Sequence, residues 1–166
     1  MGKSTTKTIA NRLVFKWEND ELSESIGHYE CNLYEVIRGK EKKIDVIDFT
    51  DYTNEWQRDN AQKNRYDRAC AFRVSWCCGW SMDKNFGYDE KYNSRVDEKG
   101  NRIYGYHGDC TLTVDDVKRW CEEWLAQRYI RSYEDTVKTL NEKKRRAESL
   151  ETQGYGKMNL EETKWK

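Results

Sequence analysis

One segment near the middle of the chain constrains the fold more than any other, because its side chains alternate over eleven residues. Its apolar positions are Cys70, Phe72, Val74, Trp76, Cys78 and Trp80. The residues between them are Ala71, Arg73, Ser75, Cys77 and Gly79. Successive side chains of a strand point to opposite faces of a sheet, so this period of two predicts a strand with one complete apolar face. An edge strand rarely carries such a face, and we therefore expect this strand in the interior of a sheet.

Three earlier segments alternate in the same way and predict three more strands. They are Ile9 to Trp17, Ile26 to Ile37 and Ile44 to Phe49, and polar links at residues 18–21 and 38–43 separate them. Successive strands with short polar links favour an antiparallel meander with one face in water. We therefore expect a mainly antiparallel sheet of about four strands, with a further brief strand at Thr111 to Thr113.

Two helices are predicted beside this sheet. The shorter one runs from Asn54 to Arg68, after capping side chains at residues 50–53, with Tyr52 and Trp56 as its anchors. The longer one starts after the capping residue Thr113, carries two acidic residues in its first turn, and continues to about residue 150. The fold class is therefore α+β, with residues 1–152 as one domain and residues 153–166 as a loosely ordered tail.

The composition indicates which side chains build the core. Leu, Ile, Val and Phe make up only about a sixth of the chain, a level that accompanies disorder in highly charged chains. The net charge is zero, however, and 13% of the residues are aromatic. Large rings bury much apolar surface, so we expect a small aromatic core that includes Trp17, Phe72, Trp76, Trp120 and Trp124.

The segment from residue 81 to residue 109 lacks regular alternation but is rich in aromatic residues. Long loops inside compact domains are uncommon and often functional, and exposed tyrosines and arginines are typical of binding hot spots. We therefore predict a binding surface made of Tyr88, Tyr92, Arg95, Arg102, Tyr104 and Tyr106.

A zinc site is an alternative use of the same region. The candidate ligands are Cys77, Cys78, His107 and Cys110, and the last two have acceptable spacing for half a site. Adjacent strand residues such as Cys77 and Cys78 point to opposite faces, however, and the usual two-cysteine knuckle is absent. The sequence therefore favours buried structural thiols, and we predict no catalytic residue and no cofactor.

The expected compartment is the cytoplasm. No stretch approaches the roughly 18 apolar residues of a membrane span, and the basic N-terminus is not followed by the apolar core of an export signal. The six cysteines are therefore expected to be reduced thiols.

The expected partner is a protein or ribonucleoprotein of a host cell. Zero net charge weakens the case for a general nucleic-acid binder, and we interpret the basic run at residues 143–146 as a solvated helix face. A homodimer through the far half of the long helix is a further hypothesis, based on Val137, Leu140 and Ala147.

In composition alone, as a compact, charged chain rich in Trp and Tyr, the protein is similar to accessory proteins of phages and mobile elements, including anti-CRISPR proteins. That similarity implies a non-catalytic inhibitor that occludes a host macromolecular complex. Binding of nucleic acid or a nucleotide by the aromatic and arginine residues of the loop is the alternative function. A small zinc-dependent or cysteine enzyme is the second alternative.

Overall fold

The computed structural model describes residues 12–77 and 80–156. Trp76 and Trp80 are described through their backbone alone. The chain divides into two compact units, with the boundary between Glu123 and Trp124. The first unit holds a sheet, two short helices and the start of a long helix, and the second holds the remainder of that helix.

The first unit is built on a five-stranded antiparallel sheet whose strands lie in sequence order. The strands are β1 (Arg12–Trp17), β2 (His28–Ile37), β3 (Lys40–Asp51), β4 (Cys70–Cys77) and β5 (Trp80–Tyr88). Each strand pairs antiparallel with the next, including β3 with β4, which residues 52–69 separate. This confirms the antiparallel meander, with five strands where four were expected.

Strand β4 lies between β3 and β5, so its predicted interior position is confirmed. It ends at Cys77, however, and Trp80 already belongs to β5 and pairs with Cys77. The pairing on both sides also shifts between Val74 and Trp76. A bulge of this kind adds one residue to the alternation, and Cys77 is buried, in agreement with the expectation of buried structural thiols.

Strand β5 corrects the expectation that residues 81–88 form part of an irregular loop. Its sequence is mostly polar, with Met82 and Phe86 as its half-buried apolar side chains. Strand β5 lies at the edge of the sheet, and a strand at the periphery can fold with few apolar side chains because less of its face is covered. The alternation is therefore too weak to see in the sequence.

The helices are α1 (Glu21–Ser25), α2 (Glu55–Asn64) and α3 (Val114–Thr152). The Thr113 hydroxyl accepts from the Asp116 amide at 3.2 Å, and the Asp116 carboxylate accepts from the Thr113 amide at 2.9 Å. This reciprocal cap confirms the predicted start of the long helix. Helix α2 is shorter than the helix predicted from Asn54 to Arg68. Residues 111–113, predicted as a brief strand, form no strand.

The anchors of α2 are only partly as predicted. Tyr52 is buried, but Trp56 is 46% exposed and Ala61 is the helix residue that is fully buried. Asn54 caps the helix by accepting from the Trp56 amide at 2.9 Å. Trp56 and Ala61 are five residues apart, so at 3.6 residues per turn they lie on different faces of the helix.

The core is built from smaller side chains than expected. Of the five predicted core residues, Phe72 is fully buried, Trp17, Trp120 and Trp124 are half-buried, and the Trp76 side chain lies outside the described residues. The largest fully buried side chains are instead Phe49, Phe72, Leu33, Ile47, Leu125, Val74, Val117, Cys31, Cys77 and Cys121. An indole keeps a polar N–H that favours a position at the rim of a core.

The rim tryptophans connect the start of α3 to the sheet. The Trp17 indole nitrogen donates to the Glu122 carboxylate at 2.8 Å. The ring of Trp120 meets the ring of Phe86 edge to face at 5.0 Å. These contacts join β1 and β5 to the same helix, on the side where Val117 and Cys121 are buried.

Candidate functional site

The irregular segment that follows β5 covers residues 89–113, and we call it the aromatic loop. Its backbone is tied to the rest of the first unit at several points. The Asp89 amide donates to the Ala69 carbonyl at 2.8 Å, and the Gly105 amide donates to the Tyr66 carbonyl at 3.2 Å. Within the loop, the Ile103 amide donates to the Arg95 carbonyl at 3.0 Å. The loop is therefore an ordered part of the fold.

The tip of the aromatic loop is a tight turn. Residues Val96 and Arg102 form an antiparallel bridge, and the Asp97 carboxylate accepts from the backbone amides of Lys99 and Asn101 at 2.9 and 2.8 Å. The hydrogen bonds from Asn101 hold the pKa of Asp97 below its usual value. A short polar side chain that binds the backbone ahead of it is a common turn-forming device.

An ion pair lies at the base of the loop. The Arg95 guanidinium donates to both carboxylate oxygens of Asp89, from Nε at 2.8 Å and from a terminal nitrogen at 3.1 Å. The Asp89 side chain is 5% exposed and also accepts from the Lys91 amide at 3.0 Å. Hydrogen bonding from Arg95 is the main reason that the pKa of Asp89 is lowered. Arg95 therefore supports the loop instead of presenting a free charge.

Tyr106 is also part of this support. Its side chain is buried, and its hydroxyl accepts from the Cys110 amide at 3.2 Å. Burial raises the pKa of this phenol. A side chain at Gly108 would lie 2.6 Å from the Tyr106 hydroxyl oxygen, so the chain passes close to the ring at that point. Tyr106 was predicted as a surface binding residue, and its burial removes it from the surface.

Arg102 and Tyr104 form a second, separate pair. The Arg102 guanidinium lies 5.3 Å from the centre of the Tyr104 ring and donates to the Asp67 carboxylate at 2.7 Å. The Tyr104 amide donates to the side-chain oxygen of Gln62 at 2.8 Å. These contacts attach the loop to α2 and to the segment that follows it.

Tyr88 and Tyr92 form an aromatic pair in which Tyr88 is exposed and Tyr92 is half-buried. Their ring centres are 6.4 Å apart with an angle of 61° between the planes, and Tyr88 is 68% exposed. Tyr88 also lines a cleft of about 400 Å³ together with Asp89, Arg95 and Tyr106. The structure thus brings Tyr88, Tyr92, Arg95 and Tyr106 to one region and places Arg102 with Tyr104 in another.

The candidate zinc ligands have other contacts. Cys77 is buried in β4, the His107 ring nitrogen Nε2 lies 2.9 Å from the Tyr104 carbonyl oxygen, and Cys78 lies outside the described residues. Cys110 packs against Gly87, where its sulfur would lie 2.4 Å from an added Cβ. Within residues 12–77 and 80–156, no three His, Cys, Asp or Glu side chains are grouped so that they could hold a metal ion.

Sequence reasoning missed the partners that hold the loop in place. Asp89 directly follows a strand that the sequence did not reveal, and Asp67 and Gln62 are 35 and 42 residues from the loop residues that they bind. Asp89 and Arg95 are six residues apart, a spacing that matches no regular secondary-structure pattern for an ion pair. The only local signal for β5, and with it for the position of Asp89, is the weak alternation of Met82, Phe86 and Tyr88.

Two further findings bear on identity. Among the helices that the structure describes, none is both long enough and apolar enough to cross a membrane. The chain matches no protein-family model, and comparison with curated proteins and with solved structures finds no significant relative.

Proposed function

We propose that this chain is a non-catalytic binding protein that docks on a protein or ribonucleoprotein of its host through Tyr88 and Tyr92. The observation that carries the proposal is that both loop arginines form ion pairs. Arg95 is paired with Asp89 and Arg102 with Asp67, while Tyr88 remains 68% exposed. The surface at Tyr88 and the adjoining loop is therefore aromatic, and both loop arginines are neutralised.

This arrangement lowers the entropic cost of binding. A tyrosine has few side-chain torsions to immobilise, and a paratope built on ordered backbone loses less freedom when it docks. The loop is already fixed by the Asp89–Arg95 pair and by its bonds to Tyr66 and Gln62. Tyr88 and Tyr92 additionally hold each other edge to face.

The inhibition that we propose is occlusion: the bound protein covers a working surface of a host complex, as phage and mobile-element anti-defence proteins do. The compartment that we propose is the cytoplasm. The thiols of Cys31, Cys70, Cys110 and Cys121 form no disulfides, which suits a reducing environment.

Nucleic acid is the alternative partner, and the charges of the loop argue against it. Phosphate binding depends on cations that can release counterions. Arg95 and Arg102 already face carboxylates, and the cleft beside Tyr88 is lined by Glu90, Lys91 and Asp109 besides the Asp89–Arg95 pair. The cleft therefore offers no excess of positive charge to a phosphate backbone.

The test is capture of partners from a lysate of the organism that carries the gene, using the full chain. We expect Tyr88→Ala to lower recovery of the captured partner at least about tenfold, the effect of a hot-spot residue. Tyr155 is a matched control, because it is 64% exposed and lies outside the loop. Tyr155→Ala should capture as much partner as the unchanged chain. Full capture by both Tyr88→Ala and Tyr92→Ala would refute the proposed site.

A salt titration of the captured complex separates the two partner classes. A phosphate-dominated complex weakens by about a thousandfold or more between roughly 50 and 200 mM salt. We expect a change of less than about tenfold, because the proposed contact is aromatic. The steeper dependence would instead establish nucleic-acid binding.

A further inference from the structure

The second half of α3 exposes apolar side chains at a spacing that the sheet does not explain. Beyond Leu125, none of the described helix residues up to Thr152 is buried. Ile130, Tyr133 and Leu140 are 56%, 72% and 63% exposed. This part of the helix is about 40 Å long at 1.5 Å per residue. Apolar side chains repeated along such a length indicate a surface that another molecule covers.

The spacing of these residues is a heptad repeat. Taking Ile130 as position a, the seam of a and d positions alternates by three and four residues through Ile130, Tyr133, Val137, Leu140, Lys144 and Ala147. A strict repeat of 3.5 residues keeps one seam facing a partner helix that winds around it. We call these six positions the heptad seam.

We propose that residues 130–150 form a parallel two-stranded coiled coil with the same segment of a second copy of this chain. The side chains of the heptad seam favour two strands. Its first two a positions, Ile130 and Val137, are β-branched, and one of its d positions is Leu140. β-Branched residues at a with leucine at d favour parallel dimers over larger bundles.

The flanking charges favour the parallel orientation. In a parallel pair, each g residue faces the e residue five positions later in the partner helix, which places Lys143 opposite Glu148. An antiparallel pair brings e against e and g against g. The e residues are Glu134, Asn141 and Glu148, and the g residues are Tyr129, Thr136, Lys143 and Leu150. Neither flank then contains an opposite-charge pair.

Lys144 adds a restriction on register. A single lysine at an a position fixes the alignment of two helices, since a shifted register would bury its charge against apolar residues. In the single chain, the Lys144 ammonium lies 3.8 Å from the Glu148 carboxylate one turn later. Both groups are exposed, so this pair contributes little within one helix and leaves Glu148 available to the partner.

The first test is the mass of the full chain in solution, measured by light scattering and sedimentation over a dilution series. We expect twice the 20.0 kDa of one chain at about 100 μM, with dissociation on dilution into the low-micromolar range, since a seam of three heptads is short. A mass of one chain at the highest concentration would overturn the proposal, whatever else covers the seam.

The second test places a charge in the seam and, as a control, next to it. Leu140→Glu should raise the dimer dissociation constant at least about a hundredfold, because two copies of the carboxylate would face each other in the seam. Thr139 is exposed and lies outside the seam, so Thr139→Glu introduces the same charge one residue away and should leave the dimer intact. Equal dissociation constants for the two variants would exclude the seam.

The third test addresses orientation by charge reversal. Lys143→Glu and Glu148→Lys should each weaken the dimer several-fold, and the double variant should recover it, because the opposite-charge pair is restored with its signs exchanged. A double variant as weak as the single ones would overturn the parallel arrangement. These measurements need no host partner, so their outcome is independent of the proposed binding function.

Discussion

The sulfur of Cys110 lies 2.4 Å from the position that a Cβ at Gly87 would occupy. Gly87 has a φ of +66°, and the same Cβ would lie 2.9 Å from the Cβ of Ala71. The end of the aromatic loop therefore packs directly on the backbone of β5. This contact gives Cys110 a packing role and places the exit of the loop over the sheet.

Gly87→Ala is expected to destabilise the protein by about 3 kcal/mol, from a left-handed backbone and an overlap that the interior of the fold cannot relieve. Gly100 is the matched control, because its φ is +79° and an added Cβ meets nothing within 4 Å. Gly100→Ala should therefore cost only about 1 kcal/mol, the backbone term alone. Denaturant unfolding measures both, and equal losses would contradict the packing argument.

Asp89→Ala is expected to lower the free energy of unfolding by about 2–3 kcal/mol. The change removes the acceptor of both Arg95 donors and of the Lys91 amide, and unpaired polar groups at a partly buried site are costly. Asp83 also pairs with an arginine, Arg73, but its side chain is 66% exposed. Asp83→Ala should change stability by less than about 0.5 kcal/mol. Similar effects of the two substitutions would show that burial of Asp89 has no energetic consequence.

The contribution of Asp89 to the free energy of unfolding should depend on pH. Its folded pKa lies below the usual value of 3.8, so the unfolded chain binds the proton first as the pH falls. The stabilisation is therefore fully present above about pH 5 and is lost as the pH falls through the folded pKa. The difference in unfolding free energy between the unchanged chain and Asp89→Asn should shrink from about pH 5 downward. A difference that stays constant down to about pH 2 would contradict the pKa shift.

The buried thiols should resist alkylation. Burial raises the pKa of Cys31 to about 12 and raises that of Cys121 as well, and the thiolate is the reactive form. At about pH 8 only about one in ten thousand Cys31 side chains is then ionised. Iodoacetamide should modify the half-buried Cys110 long before Cys31 or Cys121, as peptide mass spectrometry can follow. Labelling of Cys31 as fast as that of Cys110 would contradict the burial.

The raised pKa of the same thiols predicts that the protein loses stability at high pH. Because the folded pKa of Cys31 is raised, the unfolded chain ionises first as the pH rises. The protein should therefore lose stability between about pH 9 and its folded pKa near 12. Cys31→Ala should lose less over that range than the unchanged chain, and unfolding in denaturant at a series of pH values measures the difference.

The elements that local pattern predicts are those whose signal lies within a few neighbouring residues. Strands β2 and β3 alternate visibly, and the cap at Thr113 uses residues three apart. These features follow from backbone geometry, which repeats every two or 3.6 residues. The sheet, its antiparallel order and the long helix were therefore predictable.

The features that local pattern hides depend on pairing between distant segments. Strand β5 lies at an edge and carries few apolar side chains, and the bulge in β4 between Val74 and Trp76 interrupts the alternation of that strand. The tryptophans expected in the core lie at its rim, where Trp17 reaches Glu122 across 105 residues. Likewise, six residues of the predicted loop were expected to form one surface, and the tertiary structure leaves Tyr88 exposed while it buries Tyr106 and pairs Arg95 with Asp89.

The sequence by itself thus determined an α+β chain with an antiparallel meander, a capped long helix and an aromatic segment after β4. Only the tertiary structure decided which aromatic side chains are exposed and which charges are neutralised. The physical reason is that burial and ion pairing depend on which groups from distant parts of the chain come into contact. Asp89 meets Arg95, and Asp67 meets Arg102, once the folded chain brings them within hydrogen-bond distance.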